Sequence, residues 1–140
     1  MMEVTAMRLL RFTIRVRDQQ EALPFYTEML GFLKRADFPY GDGNRWITVS
    51  PPGDERTQLV LQPPEWFSGQ EREHHLRLVG QTPTLVFEVE DCQQTHEHLA
   101  NRGVRFTLPP TRRVYRIEAD AQDVDGNTLV FLQLPVSSGG

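Results

Sequence analysis

Four histidines, one cysteine and a few well-spaced charged and aromatic side chains hold whatever chemistry this chain of 140 residues performs. The histidines fall into two pairs, His74-His75 and His96-Glu97-His98. Imidazole and carboxylate are common ligands of a catalytic divalent metal, but the spacing here does not suit one. His96-Glu97-His98 is not the His-Glu-x-x-His pattern that sets two imidazoles on one helix face, and residues two apart on a helix point to different faces. His74 and His75 sit in a polar stretch and read as solvated. Cys92 is alone, so no internal disulfide is available and a reducing compartment suits the chain; the thiol reads as a small filler rather than a nucleophile. The densest basic cluster is Arg112, Arg113 and Arg116, and the net charge is -4, which cannot neutralise a run of phosphates and excludes nucleic acid as partner. No apolar run is long enough for a membrane span, and Arg8, Arg11 and Arg15 interrupt any signal-peptide core. A cytoplasmic location, with no membrane or nucleic-acid partner, is the expectation.

Side chains act from positions, so the elements come next. From Arg8 to Val16 the chain alternates: Leu10, Phe12, Ile14 and Val16 on one face, Arg11, Thr13 and Arg15 on the other. That is a half-buried strand. Asp18 caps a helix with Glu21 three residues on, in a capping-box arrangement, and Ala22, Phe25, Tyr26, Met29 and Leu30 recur at helical spacing as one apolar stripe. Gly31 ends it, and Pro24 inside it predicts a kink or a loosened first turn. Strands follow at 32–38, 45–50 and 58–62, separated by the turn at 40–44 and the cluster Pro51-Pro52-Gly53-Asp54. Residues 63–81 read as a long polar connection holding Trp66, Phe67, His74 and His75; a connector this long is either functional or a linker between units.

The same order then returns. A strand at 84–90 places Leu85, Phe87 and Val89 on one face, Asp91 caps a second helix, and strands are expected from Phe106 to a break at Pro109-Pro110, from Tyr115 to Asp120 and from Thr128 to Leu134. The two capping aspartates, Asp18 and Asp91, stand 73 residues apart, and Leu59-Val-Leu-Gln62 echoes Leu129-Val-Phe-Leu-Gln133. An internal repeat of this kind decides the fold class more than local propensity does.

Two tandem βαβββ units of this kind resemble the vicinal-oxygen-chelate superfamily of glyoxalase, bleomycin-resistance and extradiol-dioxygenase-like proteins. The resemblance covers nearly the whole chain and rests on Val16-Arg-Asp18 followed by Ala22, on Phe25-Tyr26, on Leu30-Gly31-Phe32, on Gly103-Val104 and on Asp123-Val-Asp125-Gly126-Asn127. It implies an α+β fold whose curled mixed sheets form half-barrel cups with helices on the outer face. The chain 1–140 is then one domain, with a first unit at 7–62, a connector at 63–81, a second unit at 82–135 and a tail at 136–140. It also implies four metal-ligand positions, and these fall on Arg11, Val60, Thr84 and Val130. Arginine stays protonated, valine has no donor and threonine is a poor neutral one, so neither a metal nor any other cofactor is expected.

Strand alternation then says which side chains line the cup: Arg11, Thr13 and Arg15; Trp46 and Thr48; Val60 and Gln62; Thr84, Val86 and Glu88; Val130 and Leu132. Tyr115 joins the candidates although the parity of its strand is not fixed. From these, the expected ligand-binding residues are Arg11, Thr13, Trp46, Thr48, Gln62, Thr84, Glu88 and Tyr115; no catalytic residue is assigned. This lining suits a small amphipathic organic molecule stacked on an aromatic ring. Bland roles stand beside these: Trp46 as barrel filling, Arg11 and Glu88 as a structural ion pair, Trp66 and Phe67 as surface anchors of the connector. Three functions compete: a metal-independent binder completed as a homodimer, a glyoxalase-type lyase, isomerase or dioxygenase with a relocated metal or acid–base chemistry through Glu88, and a structural or regulatory dimer with a vestigial cup. The missing ligands favour the first and third.

Overall fold

The computed structural model describes residues 6–135, and they form two four-stranded mixed sheets. The first unit runs β1 (Arg11–Arg15), α1 (Gln19–Pro24), β2 (Leu33–Pro39), β3 (Arg45–Ser50) and β4 (Gln58–Gln62), with sheet order β1-β4-β3-β2. A 3₁₀ turn (Pro64–Trp66) and helix α2 (Gly69–Arg77) lead to the second unit: β5 (Leu85–Glu88), α3 (Cys92–Asn101), β6 (Arg105–Arg113), β7 (Arg116–Gln122) and β8 (Thr128–Gln133), ordered β5-β8-β7-β6. In each sheet the first and last strands of the unit pair in parallel, with Arg11 opposite Gln58 and Leu85 opposite Leu129, while the remaining pairs are antiparallel. The expected fold class, two tandem βαβββ units, is the one observed. No helix is long and apolar enough to cross a membrane.

Local chemistry explains the helix starts. Asp18 accepts a hydrogen bond from the Gln20 backbone N–H at 2.8 Å, and Asp91 accepts from that of Gln94 at 2.9 Å, each satisfying a donor the helix itself leaves free. Pro24 acts after the first turn rather than in it: α1 ends there and the chain continues as a π-helical turn over Phe25–Met29, with Leu30 N–H reaching back to Phe25 C=O at 3.0 Å. One expectation fails nearby in kind. Pro109-Pro110 does not break β6, which runs nine residues through both prolines. As the outermost strand of its sheet β6 has one side without ladder bonds, and the register shifts between Leu108 and Thr111 absorb the missing N–H groups.

One core serves both units. Ile14, Val16, Tyr26, Phe32, Ile47, Val49, Leu59 and Leu61 from the first unit join Leu85, Leu99, Val104, Ala121, Leu129 and Phe131 from the second. The Phe32 and Phe87 rings meet edge-on at 5.6 Å across the junction. Met29 and Arg102, which are 73 residues apart like the two capping aspartates, touch there through an Arg102 Nη1 bond to the Met29 carbonyl at 3.3 Å. A buried polar cluster closes one side of the junction. The Asp123 carboxylate accepts from Tyr26 Oη at 2.6 Å, from Asn127 N–H and Nδ2, and from Asp125 N–H, while Asn127 Oδ1 accepts from Thr82 N–H. The other side is open: a groove of about 690 Å³ runs between the loop Pro51–Asp54, β5 and the start of α3.

Candidate functional site

The helix-side core takes every second residue of the inner strands, and the alternate residues form a second face turned away from the helices. In the first sheet the register puts Thr13 beside Val60 and Val60 beside Thr48, with Arg15 beside Gln62 and Arg11 beside Gln58. Thr48 and Val60 lie outside the helix-side core yet are 0% and 2% exposed, so the sheet and its long side chains fold over them. Thr48 Oγ1 and Gln58 Oε1 are hydrogen-bonded at 2.9 Å. In the second sheet Val86 is level with Val130 and Asp120, and Glu88 with Leu132 and Glu118.

The connector returns onto the first of these faces, which the pattern alone does not reveal. After β4 the two prolines, Pro63 and Pro64, turn the chain so that the Trp66 indole stacks on Trp46, ring centres 5.6 Å apart and planes 9° from parallel. Trp66 Nε1 donates to the Arg45 carbonyl at 3.2 Å and its ring meets Tyr40 at 4.9 Å, while Phe38, opposite Trp46 on β2, stacks from the other strand at 6.5 Å. Phe67 lies flat on the His75 imidazole at 3.7 Å, and Arg15 Nε donates to His75 Nδ1 at 3.3 Å. Burial, then the Arg15 and His74 charges, push the His75 pKa down, with Glu71 opposing; its ring is the neutral partner that this bond requires. The contacts Trp46–Trp66 and Phe67–His75–Arg15 thus make one wall along one end of the sheet. Trp66 and Phe67 pack the connector onto the sheet, and the His75 ring is stacked and hydrogen-bonded rather than solvated.

The second sheet differs in charge. Glu118 and Asp120 stand two apart on β7 and share the face of Glu88. Burial and the neighbouring Glu118 raise the Asp120 pKa, so it holds its proton more tightly. Burial acts on Glu118 in the same direction, but a hydrogen bond from Asp120, with Arg116 at 3.4 Å and Arg113 at 3.5 Å, outweighs it and keeps that carboxyl below its usual range. Parity of β7, which the sequence left open, is what hid this pair.

Among the expected residues, Arg11, Thr13, Thr48 and Gln62 share the first face with Trp46. Thr84 and Glu88 lie at β5, Thr84 just ahead of the strand. Tyr115 does not open a strand. It sits in the turn between β6 and β7 and is 76% exposed, because the hairpin carries β6 on to Arg113. Arg11 and Glu88 form no ion pair among the described residues; both side chains are exposed. Their strands are not neighbours, since β1 pairs with β4 and β5 with β8.

The four positions where the resemblance would place metal ligands hold a guanidinium (Arg11), a threonine (Thr84) and two buried valines (Val60, Val130). This donor set does not fit a metal. Among the described residues no three His, Cys, Asp or Glu side chains gather into a group that could hold one elsewhere.

A family model, the Glyoxalase/Bleomycin resistance protein/Dioxygenase superfamily, matches residues 8–131. The chain is 38% identical over 128 residues to the uncharacterized protein YurT of Bacillus subtilis strain 168, covering 91% of this chain and 99% of that one. Its structure is similar to the crystal structure of UcmS2 (TM-score 0.81, 32% identity, 91% of this chain and 98% of that one). It is also similar to TnmS3, an antibiotic binding protein from Streptomyces sp. CB03234 (TM-score 0.75, 28% identity, 95% and 100%).

Proposed function

The chain belongs to the Glyoxalase/Bleomycin resistance protein/Dioxygenase superfamily, and we propose that within it this protein is a metal-independent binder of a small amphipathic organic molecule, working in the cytoplasm that its one free cysteine suits. The observation that carries the reading is the stacked Trp46–Trp66 pair, with Tyr40 and Phe38 beside it, on a sheet face where Arg11 and Val60 stand at the two expected ligand positions. Aromatic rings offer a large flat contact at low entropic cost, and Arg15, Gln62 and Thr13 supply the few polar groups that fix orientation. An antibiotic-binding relative of similar structure supports the same reading. The test is a fluorescence titration with planar aromatic molecules. Because the two indoles touch, both Trp46→Phe and Trp66→Phe are expected to weaken binding at least about fivefold; unchanged affinity in both would remove the stack from the site.

We further propose that a second copy completes the cup. The open face of the first sheet bears Arg11 and Arg15, and that of the second bears Glu88 and Glu118. Opposite charge on the two faces favours pairing the first sheet of one copy with the second sheet of another, and Val86, 58% exposed at the centre of its face, is left to be covered. Sedimentation should show a homodimer at micromolar concentration that weakens as salt is raised; a salt-independent monomer would count against it.

A second reading, acid–base catalysis without a metal, is favoured by one observation only: the Glu118–Asp120 pair, whose surroundings push the Asp120 pKa up and the Glu118 pKa down. Binding needs no such pair, and replacing Asp120 by Asn separates the two readings, since affinity would persist and turnover would not.

A further inference from the structure

Arg15 and His75 lie 60 residues apart in sequence and meet at one place, the end of the aromatic wall. We propose that these two side chains form an anion-reading end to the ligand site, so that the preferred ligands are planar aromatic molecules bearing an acidic group, bound together with a proton on His75. The inference rests on the binding reading above and narrows it to a ligand class.

Arg15 is on the open face of β1, and it makes no ion pair among the described residues. A guanidinium is never neutral at working pH, so a half-buried one without a carboxylate is a standing anion receptor. The acidic side chains Glu88, Glu118 and Asp120 belong to the other sheet. The Nε–H of Arg15 is spent on His75 Nδ1 at 3.3 Å. A proton added to that nitrogen converts it from acceptor to donor. The bond then breaks, because two donors face each other, and a turn of the guanidinium aims both N–H groups at one oxyanion with two or three oxygens. Phe67, stacked flat on the imidazole at 3.7 Å, holds the ring in place through the change.

The groups around His75 set the direction of the coupling. Arg15 faces it from β1, His74 and Glu71 from its own helix α2, and the connector contributes only the uncharged Phe67. Arg15 and His74 oppose a proton on His75, and an anion seated between His75 and Arg15 cancels that opposition. Anion and proton therefore favour each other, and the coupling is reciprocal. Affinity for an anion whose own charge does not change should rise as pH falls through the pKa of the complex. It should level off below the pKa of the free protein.

The probes are three naphthalenes of equal aromatic area: naphthalene-1-sulfonate, ionised at every working pH, naphthalene-1-methanol, which is neutral, and 1-naphthylmethylammonium, a cation. Calorimetric titration of the full chain from pH 8 to pH 5.5 is expected to rank the sulfonate first. Its affinity should rise at least about threefold over that range, with proton uptake visible as a dependence of the heat on the buffer. His75→Gln should flatten the pH profile. Arg15→Gln should lower sulfonate affinity at least about tenfold and the alcohol's by much less, with an unchanged urea-denaturation midpoint reporting that the variant is folded. If all three probes bind alike, or the cation binds best, the anion-reading end is wrong and the aromatic site survives. If none binds to the wild type, the binding reading falls too. A pH profile that persists in His75→Gln would assign the proton to another group and overturn the proposal.

Discussion

Asp123→Ala should cost the fold about 3–5 kcal/mol, the largest single loss expected outside the hydrophobic core. The carboxylate is 5% exposed and accepts four hydrogen bonds, from Tyr26 Oη, Asn127 N–H, Asn127 Nδ2 and Asp125 N–H. A buried donor deprived of its acceptor costs about 1–3 kcal/mol, and charged acceptors make the stronger bonds. Tyr26 itself is 0% exposed, so water does not replace what it loses. Tyr26→Phe removes one of four donors and should cost about 1–2 kcal/mol. Urea denaturation of both variants measures this; a loss below about 1 kcal/mol for Asp123→Ala would mean that water or a shifted side chain satisfies the site. The same pair gives a pH dependence. Burial, then the Asp123 charge, raises the Tyr26 pKa well above its usual value. The folded chain then keeps the phenol proton at pH values where the unfolded chain has released it. The stability this supplies is present below about pH 10 and falls as pH rises further. Part of that alkaline slope should disappear in Tyr26→Phe.

Gly80→Ala should destabilise by at least about 3 kcal/mol, well beyond Gly53→Ala at about 1–2 kcal/mol. Both glycines have φ of +83°, so an alanine meets the same backbone strain at either place. The surroundings differ. An added Cβ at Gly53 meets nothing within 4 Å, whereas at Gly80 it would run into the Asp125 carbonyl oxygen, which is backbone and cannot swing aside. Relief requires moving the loop that also accepts from Arg17 N–H through Asp125 Oδ1 at 3.1 Å. The difference between the two variants, read from denaturation midpoints, isolates the steric part. Equal losses would show that the connector yields at no cost.

Much of this was legible in the residues. Alternation in Arg11–Arg15, Arg45–Ser50 and Gln58–Gln62 assigns each side chain to a face, because a strand has a period of two and a slip of one residue would bury Arg11 in place of Phe12. The aspartate caps and the 73-residue offset gave the tandem order for the same local reasons. What stayed hidden depends on distant parts of the chain. Nothing near Trp66 says that it will lie on Trp46, and Arg15 gives no sign of a partner 60 residues on. Arg11 and Glu88, though on equivalent strands of the two units, do not pair, because each unit closes on its own last strand. Pro109 and Pro110 misled because proline forbids an inner strand but not an outer one.

Helix α2 has no buried residue, and among the described contacts its main attachment to the first sheet is His75. The junction of the two units instead lies in the shared core and the Tyr26–Asp123 cluster. The connector thus acts as a tether. It raises the effective concentration of one unit near the other without forming the surface that joins them. The exposed positions of α2 are thus free to vary with the ligand, while His75 and Gly80, held by Arg15 and by the Asp125 carbonyl, are not.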